Sequence, residues 1–359
     1  MDKPQGKEAL KFLEEYGSGV RNPKGKAKMM VKYGLTARAL RGLAEELKKA
    51  RDAGLLEEKK VEYIPYPEFK IKPFAMKLGQ RDEEDIVVVL ADPHFDKITS
   101  NYNTEIARQR VDKLLDDTML IINLHRPIRN AHIFSLGDVV QGENVFQGST
   151  VEEIDKGVRG QINDVAVPII ARFISSLKQG VSNVNLYGVR GNHGRYDRTA
   201  PPKTNWDLFF YDALKASLTN QAGINIQYSE EFSLLVNIKG FRFFLIHGDQ
   251  CKGNAAVPVI AMRRKMAEWY ANVGGFNYAY AGHFHCEYQD KLNSMADYTI
   301  APPLVTGDSW ATENIGRIST PQQLCFGVHE RYGRTWRYSL HTDNAFLPKR
   351  FDEPEGVVK

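Results

Sequence analysis

Cysteine is scarce: Cys251, Cys286 and Cys325 are the only three in 359 residues. They are too few and too scattered for a disulfide framework, so a reducing, cytoplasmic setting is expected. No apolar run is long enough to span a bilayer, and the opening MDKPQGKEAL has no apolar segment of the secretory kind. No membrane partner is expected. Internal repeats and low-complexity tracts are also missing, which excludes solenoids and compositionally biased linkers. What remains, at 42% hydrophobic and 26% charged residues, is an ordinary globular composition on a chain long enough for more than one domain.

Excess charge is small but unevenly spread. The net charge is +4, yet residues 1–62 carry 15 Lys/Arg against 10 Asp/Glu, leaving the rest near −1. Within 20–51, ten basic residues face only Glu45 and Glu46. Such a segment attracts polyanions, and nucleic acid is the expected partner. Residues 27–33 read as a helix, Gly34 as a turn, and Thr36 as an N-cap before a second helix over 37–53. In that helix Leu40, Leu43 and Leu47 share a face, and Arg38, Arg41, Lys48 and Arg51 lie largely off it. Helix, turn and basic helix suggest a helix-turn-helix in a domain spanning 1–62. Three prolines in 63–80 make that stretch an extended linker. Residues 81–345 form the main domain, and 346–359 a tail.

In the main domain, apolar strands alternate with amphipathic helices, which argues for an α/β core with much parallel pairing. Strands are expected at 86–90, 132–136, 184–189, 241–246 and 278–281, with helices at 104–124, 163–178 (bent at Pro168), 204–217 and 257–270. After Tyr298 the pattern turns to short strands, at 324–329 and 336–340.

The five strands share one property. Each ends in Asp, His or Asn, usually beside a glycine: Asp92-Pro93-His94, Gly137-Asp138, Gly191-Asn192-His193, His247-Gly248, and Gly282-His283-Phe284-His285. Taken singly, each is a turn or a surface histidine. Together they gather at the C-terminal edge of strands, where α/β sheets bind ligands. Carboxylate and amide oxygens with imidazole nitrogens suit hard and borderline divalent cations. Seven such side chains (Asp92, His94, Asp138, Asn192, His247, His283, His285) exceed the need of one ion and suit two, about 3.5–4 Å apart. The set holds no cysteine, which disfavours a structural zinc site.

In this order the motifs resemble the calcineurin-like metallophosphoesterase superfamily over roughly residues 86–285. The resemblance implies a sandwich of two mixed β-sheets flanked by helices, with the strands after Tyr298 completing the second sheet. It implies that Asp92, His94 and His285 hold one metal and Asn192, His247 and His283 the other, with Asp138 bridging. Manganese is favoured, with iron, zinc or nickel as alternatives. Two cations would activate a water for in-line attack on phosphorus. His193 would lie beside them and protonate the leaving oxygen or stabilise its negative charge. Asp96 and Asp197 are the candidates to orient it. Arg190, Arg195 and Arg198 bracket that motif as candidates to grip phosphate, or to form structural ion pairs.

The chain departs from the superfamily's protein phosphatases in two places. Their Asp-Arg-Gly after the Gly-Asp motif is missing from Gly137-Asp138-Val139-Val140-Gln141-Gly142. Gly194 also stands where an acidic residue commonly follows Gly-Asn-His. The favoured function is therefore a metal-dependent phosphodiesterase or nuclease acting on DNA. Alternatives are hydrolysis of a small phosphodiester, a nucleotide or a phosphoprotein, and, from another class, a nucleic-acid-binding protein whose metal site is only structural.

Overall fold

The computed structural model describes residues 30–32, 34–53, 82–143, 153–197, 199–252, 259–307 and 320–349. The linker assigned to 63–80, most of the first N-terminal helix and the end of the tail lie outside them. The chain divides into two units, Met1–Met76 and Lys77–Lys359. No helix among the described residues is long and apolar enough to cross a membrane.

In the first unit, helix α1 (Ala37–Asp52) starts as its sequence dictates. The Thr36 hydroxyl oxygen accepts the Ala39 N–H at 3.2 Å, satisfying one of the orphan donors of the first turn. Leu40 is buried, whereas Arg38 and Arg41 are exposed. Residues 30–32 are helical, and Gly34, at φ 60°, makes the turn between the two segments.

The second unit is built on two sheets. Strands β1 (Glu84–Leu90), β2 (Ile128–Ser135), β3 (Asn183–Gly188) and β4 (Ile224–Tyr228) belong to the first. The second holds β5 (Ser233–Ile238), β6 (Phe241–Ile246), β7 (Tyr278–Ala281), β8 (Tyr288–Lys291) and β9 (Asp297–Ile300). A C-terminal hairpin, β10 (Gln322–His329) and β11 (Gly333–His341), returns to the first sheet. The spatial orders are β11-β10-β1-β2-β3-β4 and β5-β6-β7-β9-β8. The expectation that the strands after Tyr298 complete the second sheet is thus corrected: β10 pairs antiparallel with β1, Phe326 opposite Val87. Burial explains the choice. Leu324, Phe326 and Val328 point between the sheets while Cys325 points to the helices, so β10 needs apolar cover on both faces.

Side-chain alternation sets the layers. In β1, Ile86, Val88 and Leu90 pack against helices α2 (Thr104–Leu124), α3 (Val167–Leu177) and α4 (Trp206–Ser217). Val87, Val89 and Ala91 face the second sheet through Phe134, Phe243 and Phe326. In β6, Phe243 and Leu245 point inward, while Phe244 and Ile246 cover Met262 and Met266 of helix α5 (Val259–Asn272). The result is helices, sheet, sheet, helix. The bend expected at Pro168 appears as wide π-type turns over Gln161–Ala166 ahead of α3. A proline, with no N–H to give, is well placed at the first turn that follows.

Strands β1 to β4 run parallel, as do β6, β7 and β9, so the site-bearing strands of each sheet end on one edge. At the opposite edge the sheets are tied by Arg334 of β11. Its guanidinium donates to both Asp297 carboxylate oxygens, at 3.0 and 2.8 Å, and to the Tyr280 hydroxyl at 2.9 Å.

Behind the site, Arg110 of α2 is buried and donates to Leu304 O (2.7 Å), Thr306 Oγ1 (2.9 Å) and Asp343 Oδ2 (2.9 Å). Breaking a buried pair leaves its partners desolvated and unpaired. Arg110→Met should lower unfolding free energy by about 3–5 kcal/mol, seen as a lower urea midpoint at unchanged slope; a drop below about 1 kcal/mol would show the cluster to be dispensable.

Candidate metal centre

The loops after β1, β2, β3, β6 and β7 bring the candidate residues together. Three groups each have ligand atoms within 4.8 Å of one another: Asp92, His94 and His285; His94, Asp138 and His193; and Asp138, His247 and His283. His94 is shared by the first two groups and Asp138 by the last two. Asn192 joins at the Asp138 end, its Oδ1 lying 2.8 Å from His247 Nε2. All seven sequence-derived ligands, with His193, therefore converge.

The backbone is bent to achieve this. Asp92, His94, Asp138, His283 and His285 have φ between 43° and 69°, in the left-handed region that side chains with a Cβ seldom adopt. Among the described non-glycine residues only Asp96 and Lys239 share that conformation. Strain of this kind concentrates where geometry must be imposed. Two glycines make the close approach feasible. A Cβ on Gly191 would stand 2.1 Å from Asp138 Oδ1, and one on Gly282 would stand 2.9 Å from Asp92 Oδ2.

Hydrogen bonds orient the rings. Leu136 O lies 2.8 Å from His247 Nδ1 and can only accept, so that nitrogen carries the proton. His94 Nδ1 likewise donates to Gln141 Oε1 at 2.9 Å. Both Nε2 atoms are then left toward the cluster, the arrangement that outer partners impose on metal-binding histidines. His94 Nε2 is 3.2 Å from His285 Nε2, and His247 Nε2 is 3.1 Å from Asp138 Oδ2. Lone pairs converge here from several sides, which a cation satisfies and neutral imidazoles do not. The donor set thus fits divalent metal.

The electrostatics agree. Burial pushes His94 well below its ordinary pKa, with His193 adding to the effect. Burial, then His247, does the same to His283. Asp92 is raised by burial to about 7, Asp138 contributing and His247 opposing. Burial also acts against the charged forms of Asp138 and His247, but their mutual attraction outweighs it. Asp138 is held well below the usual carboxylate range and His247 is raised to about 10. A proton on His247 takes the place that a metal charge would fill.

Three further residues went unnoticed in the sequence. Gln141 holds His94 through its side chain and accepts from His193 Nδ1 through its backbone oxygen, at 3.1 Å. This corrects the expected orienting role of Asp96 or Asp197. Asp96 instead accepts the N–H groups of Asp155 (3.0 Å) and Lys156 (2.7 Å), and Asp197 those of Thr199 and Ala200. Asp207, at the start of α4, accepts from Val139 N (3.1 Å) and Gly191 N (2.8 Å), tying two site loops together. Asn205 caps α4 at Asp207 N and donates to Gly191 O at 2.7 Å. In sequence both look like ordinary helix-start residues. Of the arginines, Arg195 pairs with Asp249 and Arg190 Nε donates to Glu230 O at 3.0 Å. Arg198 lies outside the described residues.

The family model described as calcineurin-like phosphoesterase matches residues 86–287. No curated protein matches the chain. Solved structures with similarity include zinc-complexed Vps29 from Entamoeba histolytica, at 11% identity and a TM-score of 0.35, covering 71% of this chain and 98% of that one. A dimetal phosphatase from Danio rerio is 12% identical with a TM-score of 0.34, covering 72% and 99%. A 5'-nucleotidase from Candida albicans is 8% identical with a TM-score of 0.32, covering 75% and 54%.

Manganese added in about 100-fold excess over its Kd should raise the Tm of metal-free protein by on the order of 5–10 °C. Asp207→Ala should weaken manganese binding about 10- to 100-fold, and Asp207→Asn less, as expected for an outer partner. An unchanged titration midpoint in both variants would show that Asp207 only supports the fold.

Proposed function

This chain belongs to the calcineurin-like phosphoesterase family, and from that premise we propose that it is a dinuclear metal-dependent phosphodiesterase that cleaves DNA. The observation that carries the dinuclear reading is the position of Asp138, whose Oδ2 lies 3.7 Å from Nε2 of His94 in one candidate set and 3.1 Å from Nε2 of His247 in the other. Asp92, His94 and His285 would hold one cation, and Asn192, His247 and His283 the other, with Asp138 between them. When bound, two such ions supply Lewis acidity toward a phosphoryl group and an activated water. Manganese is the favoured ion, and a set that mixes carboxylate, amide and imidazole without thiolate is also compatible with iron, zinc or nickel.

The protein's own groups then divide the work. His193 N–H donates to Asp138 Oδ1 at 2.7 Å, which fixes that carboxylate, while its ring stands edge-on to His94 with centroids 4.5 Å apart. Because His193 Nδ1 donates to Gln141 O, a proton for the leaving oxygen would come from Nε2. Burial lowers the His193 pKa, whereas the Asp138 charge and the Gln141 carbonyl favour the imidazolium needed for that delivery.

Two observations support a diester over a phosphoprotein. Gln141 stands where the Asp of the phosphatase signature would fall. A Cβ on Gly194 would lie 2.3 Å from Asn205 Oδ1, so the acidic residue common after Gly-Asn-His has no room. The basic segment over 20–51 supports DNA as the polyanion, through phosphate interactions that are sensitive to salt.

With manganese, single-stranded DNA, duplex DNA, bis(p-nitrophenyl) phosphate and p-nitrophenyl phosphate separate the readings; cleavage of the monoester alone would sink the nuclease. His193→Ala should lower kcat about 10²- to 10⁴-fold with manganese content unchanged. Loss of metal as well would make His193 a ligand, as its grouping with His94 and Asp138 would then require. In the full chain, Ala at Arg38, Arg41 and Lys49 should make the log–log salt dependence of DNA binding shallower, by about 0.9 for each phosphate no longer neutralised. An unchanged slope would remove the N-terminal segment from the DNA path.

A further inference from the structure

Beside the centre lies a group of aromatic rings that hydrolysis does not require. Tyr196, three residues beyond His193, has its ring centroid 6.0 Å from that of Trp206, which lies 5.2 Å from Phe209. Trp206 is partly buried against the core, but Tyr196 is 63% and Phe209 48% exposed. Helix α4 buries Leu208, Phe210, Tyr211 and Leu214, so Phe209 lies off the face the core uses, while Tyr196 reaches Trp206 from the preceding loop. Large aromatics left in water beside a reaction centre point to something that covers them.

The cluster is fixed to the site. Trp206 N–H donates to Gly194 O at 2.5 Å, and Asn205 Nδ2 holds Gly191 O. The loop bearing Asn192 and His193 therefore sits on the N-terminus of α4, and the rings sit alongside it. On the same connection Lys203 is exposed, as are Asp197 and Arg195, the latter paired with Asp249. Exposed ring faces, tilted by 59° and 44° to that of Trp206 and followed along the chain by Lys203, stand next to a centre for phosphoryl groups, which matches a polymer that alternates π-faces with negative charge. A peptide or a lipid would not need both.

We propose that Tyr196, Trp206 and Phe209 form a stacking ledge for unpaired bases of the strand whose phosphodiester enters the centre. The proposal rests on the phosphodiesterase reading above and narrows its substrate to single-stranded or frayed nucleic acid. Bases in a closed duplex present no free face, so a blunt duplex gains nothing from the ledge. Stacking tolerates any base, so the ledge adds affinity with little sequence preference.

The test measures binding of fluorescein-labelled oligothymidylate and of a blunt duplex to the full chain with manganese, by anisotropy. The double variant Tyr196→Ala/Phe209→Ala should weaken oligothymidylate binding by about fivefold to a hundredfold. Duplex binding and the manganese-induced Tm shift should stay unchanged, and Tyr196→Phe should bind as the unaltered chain does. The ledge is overturned if the double variant binds oligothymidylate normally, if duplex binding falls equally, or if the unaltered chain does not bind the oligonucleotide. Cleavage of the bound strand is scored separately. Binding that depends on the ledge but is followed by no cleavage retires the nuclease and leaves the ledge standing.

Discussion

One buried carboxylate holds the site loops where the sheets cannot. Pairing between β2 and β3 ends at Ser135 and Gly188, so the backbone beyond must find partners elsewhere. Asp207 provides them, accepting from Val139, Val140 and Gly191 at 3.1, 3.4 and 2.8 Å. Hydrogen bonds to a charged group contribute about 1.5–3 kcal/mol each, more than their neutral counterparts. Burial and the neighbouring Asp138 raise Asp207 to about 6. The fold thus keeps a desolvated charge in exchange for fixed positions of Asp138 and Asn192.

A similar conflict runs through the centre. Asp92, Asp138 and His247 are buried together with His94; Asp138 and His247 favour each other's charge, whereas burial and Asp138 push Asp92 toward its protonated form. A proton relieves one clash of like groups at a time. A divalent ion would relieve several at once, which is why this donor set suits one.

Much of this was legible in the chain. The β-branched run Ile86–Leu90 and its counterparts announced strands, and a polar group beside glycine at five strand ends announced their common edge. Periodicity does not say which sheet a strand joins, so the return of β10 to β1 was missed; it follows from cross-sheet packing of Phe326. Gln141, Asn205 and Asp207 were unreadable for another reason. Their roles depend on where a side chain or carbonyl lands after the chain has folded back on itself, while locally they look like a turn and a helix start. The exposure of Phe209 depends on which face of α4 the core leaves uncovered, and that of Tyr196 on where its loop lands beside Trp206.

The two edges of the sandwich are held by different means. At one edge, Arg334 joins the first sheet to Asp297 and Tyr280 of the second. At the other, Asp92, His94, Asp138 and Asn192 come from the first sheet, and His247, His283 and His285 from the second. The Arg334 edge is closed by the chain's own charges. A cation held at the far edge would be bonded to both sheets at once, so metal binding and sheet packing would share one free energy.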